Sequence, residues 1–566
     1  RQEKVDEQQT KLDYPQHQLG YQLDFQQNQL DYQLDYQQEI LDFQQEKVAA
    51  LERIDSFVGF VLNHINLNKT QLALIVPTPS EKAIVRGERL SWVLFAGNGI
   101  EKGWLSSSST RRRGLITISD LLPTFLAVNL AANLNDTCSD IQSGIEKGDY
   151  QVEVNANKKV NHQVEVNGNR ESNYNVELKG SPIYSIITSD GPEWRNLIAL
   201  NRWISFIYNI RPPFIQTFIL LQIIIIMMAI SSTIWKNINK IYIFEHLFEY
   251  LLLAILLVPI NFMILSIFQI VSIVINLLIL LLLLLVEEFV LLNYIKKPFD
   301  RVMYIAISLV LLICLNLLDS YIMLADSVLG YSSIIGARYY GIGNEYMGFF
   351  LGAFLIFLVI FLEKLHNKDL VSRRVPLYIL ITFLLSTYLI GAGNLGSNFG
   401  GMITALITGG ITTYYIFDTK KLSNKSFYKF LIITLSAVFI FAILFVDYSR
   451  ILGERSHIGR AVQRLLNQDW DWLANTIFRK FSMNLKLLRW TIWTRVLLFM
   501  IIYLFILLKK PVPSLKRLFE NNHFIKAGLY GILAGCLVTM FVNDSGVVAA
   551  ATLLFYPVMS LLYFLK

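Results

Sequence analysis

The stretch around which this chain is organised lies between two long apolar runs, and over residues 336–348 it reads Gly-Ala-Arg-Tyr-Tyr-Gly-Ile-Gly-Asn-Glu-Tyr-Met-Gly. Its glycines allow the backbone to pack closely or to turn at positive φ. Ionisable groups at membrane depth are costly, and they are usually retained for a partner or a ligand. The stretch therefore predicts a polar site, and the simpler alternative is a loop with an internal Arg338–Glu345 ion pair.

The composition is that of an integral membrane protein. Hydrophobic residues make up 54% of the 566 residues, and the mean hydropathy is +0.45. The net charge of +7 requires no nucleic acid, because much of the Lys and Arg falls in short loops between apolar runs. The cysteines have neither metal-site nor disulfide-framework spacing. The chain begins with Arg1 and shows no signal peptide or first anchor, so we expect a missing N-terminal part.

The pattern of apolar runs predicts an α/β soluble domain joined to an all-α polytopic transmembrane domain of about eleven helices. The predicted parts are a Gln-rich repeated helical segment (1–47), a soluble domain (48–195), a linker (196–213) and the membrane domain (214–566). The predicted spans lie near 214–235, 247–266, 267–286, 302–319, 346–363, 375–392, 399–417, 429–447, 491–508, 524–542 and 546–565.

The soluble part begins with two repetitive or amphipathic segments. Leu-Asp-Tyr or Leu-Asp-Phe recurs through residues 1–50 at helical spacing, and a low-complexity insertion with no fixed role is the alternative. An amphipathic helix is predicted over 48–66. A motif recurring every 12 residues, at Gln151, Gln163 and Asn175, predicts a strand-and-turn surface insertion over 149–179.

Two short apolar runs, at 72–76 and 92–96, are predicted as buried strands of the parallel type. A polar loop over 106–114 leads into a helix that starts near Asp120, which can cap it. The segment from Gly114 to Thr124, Gly-Leu-Ile-Thr-Ile-Ser-Asp-Leu-Leu-Pro-Thr, resembles a helix start of the alkaline-phosphatase superfamily, which includes sulfatases and cofactor-independent phosphoglycerate mutases. The resemblance covers roughly residues 45–195 and implies the C-terminal half of such a domain.

That superfamily holds two metals and has Asp-His-Gly where this chain has Val76-Pro-Thr-Pro-Ser80. No histidine occurs between His64 and His162, and threonine or serine replaces carboxylate and imidazole poorly as a ligand. We therefore expect a degenerate domain without metal or cofactor. The alternative is that a missing N-terminal part contributes the ligands.

Lys and Arg clusters in four loops orient the spans, since cytoplasmic loops are basic. Alternating spans then place the soluble domain outside, together with four unusual segments: 336–348, 391–398, 448–490 and 543–546. This grouping predicts a shared outward-facing polar site, whereas each segment alone is also consistent with helix packing or a turn. The catalytic candidates are Glu345 and Asp544, and the substrate-binding candidates are Arg338, Tyr339, Asn344, Asn394, Asn398, Asn543, Arg455, His457 and Arg460.

The segment 450–495 interleaves arginines with tryptophans, which is typical of helices at a membrane surface. Arginine also suits bidentate phosphate binding, and simple attraction to anionic lipid is the alternative.

Three functions remain open for this predicted protein of the bacterial cytoplasmic membrane. The first is the handling of a lipid-linked phosphate-bearing envelope precursor. The second is transport or lipid flipping, and the third is a non-catalytic role in assembly or sensing. The sequence does not decide whether it is an enzyme. The expected partners are membrane lipids and a lipid-linked substrate, and no nucleic acid is expected.

Overall fold

The computed structural model describes residues 45–98, 100–126, 181–187, 194–234, 242–319, 321–368, 375–419, 462–464, 466–509 and 513–565. Most of the Gln-rich repeat, the insertion at 149–179, the predicted span at 429–447 and the candidates Arg455, His457 and Arg460 lie outside these ranges.

The described chain is mainly helical, with four short strands. The strands are β1 (Gln71–Ile75), β2 (Val93–Gly97), β3 (Gly103–Ser107) and β4 (Ile183–Ile187). The helices are α1 (described over 45–64), α2 (Glu81–Val85), α3 (described over 121–126), α4 (Trp194–Ile234), α5 (Tyr242–Phe268), α6 (Ile273–Tyr294), α7 (Pro298–Leu318), α8 (Ile322–Asp326), α9 (Asn344–His366), α10 (Val375–Gly391), α11 (Phe399–Thr419), α12 (Trp470–Trp490), α13 (Ile492–Lys509), α14 (Pro513–Asn521), α15 (His523–Val542) and α16 (Gly546–Leu565).

The chain divides into two compact units, one of Arg1–Leu74 with Leu94–Glu101 and the other of Ile75–Val93 with Lys102–Lys566. The strands β1 and β2 form a two-stranded sheet. The backbone N–H of Asn98 bonds to the carbonyl of Thr70, and that of Val76 bonds to the carbonyl of Trp92. The two strands therefore run antiparallel, and the prediction of buried parallel strands is wrong. The side chains of both strands are half-exposed or exposed.

In the second unit, β3 and β4 pair antiparallel from Gly103 opposite Ile187 to Ser107 opposite Ile183. A 3-10 turn at Ile118–Asp120 precedes α3, and the Asp120 carboxylate accepts a hydrogen bond from the N–H of Thr117 at 2.8 Å. Asp120 therefore bonds back to the residue before this turn, whereas the sequence analysis expects it to cap the helix that starts near it. These two short sheets among the described residues do not show the predicted α/β domain, which stays a prediction.

Eight of the described helices are long and apolar enough to cross a membrane: α4, α5, α6, α7, α9, α13, α15 and α16. They identify the chain as an integral membrane protein that crosses the membrane several times. The helix α10 is apolar but shorter, and α11 coincides with a further predicted span. Residues 196–213, which the sequence analysis assigns to a linker, belong to the 41-residue helix α4.

The nearly continuous apolar run after residue 246 is interrupted once, between α5 and α6. Gln269 takes a left-handed backbone conformation with φ of 48°. The Ser272 hydroxyl then accepts a hydrogen bond from the N–H of Ile275 at 3.5 Å and caps α6. The boundary between these two spans consequently falls several residues later than the sequence predicts.

The contact between α9 and the almost completely buried α16 is part of the core of the second unit. A Cβ atom at Gly348 would lie 2.0 Å from the Thr552 hydroxyl oxygen, and one at Gly352 would lie 2.6 Å from the Leu553 carbonyl oxygen. The two glycines thus allow the helix backbones to approach closely, as small residues do between membrane helices.

Ionic contacts mark the end of the helices at which α9 terminates, here named the Lys364 end. Glu249 pairs with Arg301 at 2.8 Å and accepts a hydrogen bond from the Tyr563 hydroxyl at 2.8 Å. Lys364 pairs with Asp300 at 2.9 Å. The loops that follow α6 and α9 therefore meet at one end, as alternating spans require.

Candidate functional site

The opposite end, here named the Arg338 end, contains the glycine-rich stretch. Gly341 has a φ of +78°, and the next N–H, from Ile342, donates to the Gly396 carbonyl at 2.8 Å. The buried Asn398 side chain donates to the Ile342 carbonyl at 3.2 Å and to the Asn344 side-chain oxygen at 3.1 Å. The segments 336–348 and 391–398 are thus bound to each other, and the polar atoms of Asn398 are engaged in protein contacts.

Arg338 lies across this junction. Its Nη1 donates to the carbonyls of Gly396 at 3.4 Å and Ser397 at 3.3 Å. Burial lowers the pKa of Arg338, whereas Tyr331, Tyr340, Glu345 and Asp544 favour its charged form. An arginine pKa starts so high that the guanidinium stays protonated at neutral pH.

Glu345 lies in the first turn of α9, where its carboxylate accepts a hydrogen bond from its own backbone N–H. Arg211 and Arg338 are both within electrostatic range of this carboxylate. Among the described residues, Glu345 forms no ion pair within 4.0 Å. The simple internal Arg338–Glu345 pair is therefore absent from the described part of the chain, and the carboxylate is not locked by a direct cation contact.

Arg211 is a member of this cluster that the sequence analysis does not select. It precedes Pro212 and Pro213 inside α4, and its Nη2 donates to the Ser327 carbonyl at 3.4 Å. Its Nε is buried and has no hydrogen-bond partner among the described residues. The signal in the sequence is an arginine beside two prolines at the start of a long apolar run. The sequence analysis does not select Arg211 because it assigns these residues to a linker.

The polar loop over 106–114 also reaches the Arg338 end. Arg112 forms two hydrogen bonds with the buried carboxylate of Asp326, at 2.7 and 2.8 Å. Arg111 donates to the Gly393 carbonyl at 2.8 Å and lies 3.9 Å from the centre of the Tyr340 ring. The run of three arginines is visible in the sequence, but its partners are distant along the chain and no local pattern identifies them.

Asp120 holds this loop in shape. Its buried carboxylate accepts hydrogen bonds from the hydroxyls of Ser107 at 2.8 Å and Ser109 at 2.6 Å, and from the N–H groups of Thr117 at 2.8 Å and Ser181 at 2.9 Å. Tyr339 is within electrostatic range of Asp120, and burial followed by that charge raises the pKa of Tyr339. Tyr339 therefore stays a neutral hydroxyl donor beside the loop at physiological pH.

The remaining candidates lie around the cluster. Asn543 is buried, donates to the Thr539 hydroxyl at 2.5 Å and accepts from Asn484 through its backbone carbonyl at 2.8 Å. Asp544 is half-exposed and faces Lys480 at 3.7 Å, while remaining within electrostatic range of Arg338. Asn394 is exposed, and its carbonyl accepts a hydrogen bond from the Tyr321 hydroxyl. Asp544 and Asn394 thus lie at the rim, whereas Glu345 lies inside.

The charges of the inner cluster do not balance. Arg112, Arg211 and Arg338 face the carboxylates of Asp326 and Glu345, which leaves one positive charge in excess, while Arg111 and Asp544 at the rim carry opposite charges. Two buried donors, the Arg211 Nε and the Tyr331 hydroxyl, have no partner among the described residues. Burial raises the pKa of Tyr331, so its hydroxyl remains a donor. An excess of donors and positive charge suits an anionic ligand.

Fold and site together define an integral membrane protein with a buried, net-positive polar cluster at one end of its helices. In comparisons with protein-family models, curated proteins and solved structures, the chain matches none of them. The resemblance to the alkaline-phosphatase superfamily therefore stays a prediction. No group of three or more His, Cys, Asp or Glu side chains able to hold a metal ion occurs among the described residues.

Proposed function

We propose that this chain is a protein of the bacterial cell envelope that binds the phosphate-bearing headgroup of a lipid-linked precursor at the Arg338 end. The supporting observation is two buried donors that have no partner among the described residues, the Tyr331 hydroxyl and the Arg211 Nε. Tyr331 is within electrostatic range of Arg338, and Arg211 and Arg338 are both within electrostatic range of Glu345. Arginine presents a planar fork of N–H groups that matches phosphate oxygens. A phosphate bound in this cluster would supply acceptors for such donors and offset the excess positive charge.

A lipid-linked ligand fits the position of the site along the helices. Arg211 belongs to the membrane-crossing helix α4 and Glu345 starts the membrane-crossing helix α9, so the cluster adjoins the apolar region. The amphipathic helix α12 begins and ends with the exposed Trp470 and Trp490, and the Lys480 ammonium donates to the Val542 carbonyl at 2.8 Å. Tryptophan at the ends of such a helix suits the headgroup layer of a membrane.

Replacing Arg338 by lysine tests the binding site. A lysine keeps the charge but loses the fork, so we expect affinity for a polyprenyl phosphate to fall by about tenfold. The measurement is equilibrium binding of the radiolabelled lipid to full-length protein in lipid nanodiscs. Arg113→Lys, at an exposed position of the loop 106–114, is the matched control and should leave binding unchanged. Equal affinity of the two variants for the polyprenyl phosphate would show that Arg338 is not part of the binding site.

Replacing Glu345 by glutamine separates catalysis from binding. The substitution keeps the shape and removes the charge, so we expect binding of the polyprenyl phosphate to be retained within about threefold. If Glu345 is a general base, turnover of a lipid-linked pyrophosphate donor is lost. If the carboxylate only balances the arginines, the variant is less stable and keeps residual activity. Retained turnover at normal stability would exclude both roles.

A transporter or lipid flippase is the second candidate. It is favoured by carboxylates within the membrane-crossing helices, among them Glu287 and Glu288 of α6 and Glu345 in the first turn of α9. Such residues are rare in membrane spans and commonly belong to transport pathways. Movement of the labelled lipid between vesicle leaflets without chemical change would favour this function over an enzyme. A protein that binds the lipid with neither turnover nor movement would be an assembly or sensing protein.

The orientation of the site is tested by labelling. The Lys364 end should face the cytoplasm and the Arg338 end the outside, because Arg301 and Lys364, which belong to two of the basic clusters, lie at the Lys364 end. In a variant without the three native cysteines, we expect Asn394→Cys to react with a membrane-impermeant maleimide on intact cells and Asn367→Cys to react only after lysis. Both positions lie in the described loops. The reverse pattern would place the site at the cytoplasmic face.

A further inference from the structure

A second cluster of polar side chains lies between the membrane-crossing helices α5 and α6, away from the helix ends. Asn261 of α5 donates from its Nδ2 to the Glu287 carboxylate of α6 at 2.6 Å. Glu287 lies about 20 Å along α6 from its first residue and about 10 Å from its last, at 1.5 Å per residue. The contact is therefore inside the span, away from both ends, and it is separate from the cluster around Arg338.

The neighbouring Glu288 belongs to the same place. Its side chain reaches the backbone of Ala254 in α5, and it is within electrostatic range of Glu287. Glu288 is 7% exposed and Asn261 is fully buried. Much of α6 presents exposed apolar side chains such as Leu278 and Leu282, and Glu287 and Glu288 are the two acidic residues of this helix.

Some hydrogen-bond acceptors at this contact between α5 and α6 have no donor. The Oε1 of Glu288 and the Oδ1 of Asn261 are both buried acceptors without a partner among the described residues. Tyr556 of α16 is within electrostatic range of Glu287, but its hydroxyl donates to the Leu256 carbonyl at 2.9 Å. No lysine or arginine acts on Glu287 or Glu288 among the described residues. A buried carboxylate that has an unsatisfied oxygen and a second carboxylate beside it, without a cation, is costly unless it gains a proton or a cation.

We infer that Glu287, Glu288 and Asn261 form a proton-binding site within the membrane. One proton from the aqueous phase adds to a carboxylate oxygen of the pair, which changes the charge of the pair from −2 to −1. The new O–H is then a donor for a buried acceptor such as Asn261 Oδ1. A divalent cation fits less well, because magnesium and calcium take six or more oxygen ligands. This inference does not depend on the proposed phosphate-lipid function.

The test uses dicyclohexylcarbodiimide, an apolar reagent that attacks protonated carboxyl groups, on full-length protein in phospholipid vesicles. The adduct is located by peptide mass spectrometry between pH 6 and pH 9. An exposed carboxyl is almost fully ionised at pH 7, so we expect labelling of the pair to exceed that of the exposed Glu520 by about tenfold or more. Labelling of the pair should fall as the pH rises.

The variant Asn261→Leu tests proton binding through the pH dependence of labelling, which a purely structural role of Asn261 would not change. It removes the amide that stabilises the ionised Glu287, so the pH at which labelling is half-maximal should rise. Labelling of the pair at the level of Glu520 across the whole pH range would overturn the inference. Protection by sodium or magnesium ions at constant pH would also overturn it, because the site would then bind a metal cation. Both of these measurements, the pH series and the cation protection, use the wild-type protein.

Discussion

Replacing Arg112 by alanine is expected to lower the free energy of unfolding by about 3–5 kcal/mol, which is the usual cost of removing one partner from a buried ion pair. The guanidinium holds Asp326 through two hydrogen bonds of 2.7 and 2.8 Å, and the Asp326 side chain is 3% exposed. Without Arg112 the carboxylate remains buried with its nearest cation gone. Arg211 is also within electrostatic range of Asp326, so the lower part of this interval is the better expectation.

The measurement is chemical unfolding of the purified protein in detergent, followed by tryptophan fluorescence. Arg113→Ala removes a charge at the next, exposed position and should change stability by less than about 0.5 kcal/mol. A double variant, Arg112→Leu with Asp326→Leu, removes both charges and should recover much of the loss. If Arg112→Ala and Arg113→Ala are equally stable, the pair contributes nothing to the fold.

Replacing Gly341 by alanine should disrupt the Arg338 end itself. Gly341 has a φ of +78°, and an added Cβ would lie 2.3 Å from the Gly396 carbonyl oxygen. That oxygen accepts hydrogen bonds from Ile342 and Arg338, so the clash displaces the contacts that place the arginine. We expect a loss of about 2–4 kcal/mol from strain and lost hydrogen bonds, together with loss of polyprenyl-phosphate binding.

Gly410→Ala is the matched control for that substitution. Gly410 lies inside α11, and a Cβ there would meet nothing within 4 Å. Alanine favours a helix interior over glycine by roughly 1 kcal/mol, so this variant should be as stable as the wild type or slightly more stable. Binding should be unchanged. Similar behaviour of the two variants would show that the turn at Gly341 is not required for the site.

The membrane-crossing helices could be predicted from sequence because their requirement is local. An apolar run long enough to cross the hydrocarbon core of a membrane consists of consecutive residues, as in α9 and α16. The exceptions come from backbone conformation and from helix extension. The left-handed Gln269 places the break between α5 and α6, and α4 continues through residues that were assigned to a linker.

The inner cluster was predictable only in part. Arg338, Asn344 and Glu345 lie in one unusual stretch, and its glycines identify it. Arg211 and Asp326 approach them through tertiary packing across many intervening residues, for which the sequence contains no local signal. The direction of β1 and β2 was missed for a similar reason, since short apolar strands look alike in parallel and antiparallel pairs.

The adjacent residues Arg111 and Arg112 hold two remote parts of the chain, the carbonyl of Gly393 after α10 and the carboxylate of Asp326 at the end of α8. Because two neighbouring residues cannot move far apart, they act as a non-covalent crosslink that closes a ring of chain containing α9 and α10. Such a ring restricts how far these two helices can separate before either contact breaks, as a covalent bridge would. Separating these helices at this end therefore requires the release of Arg111 or Arg112 from its partner.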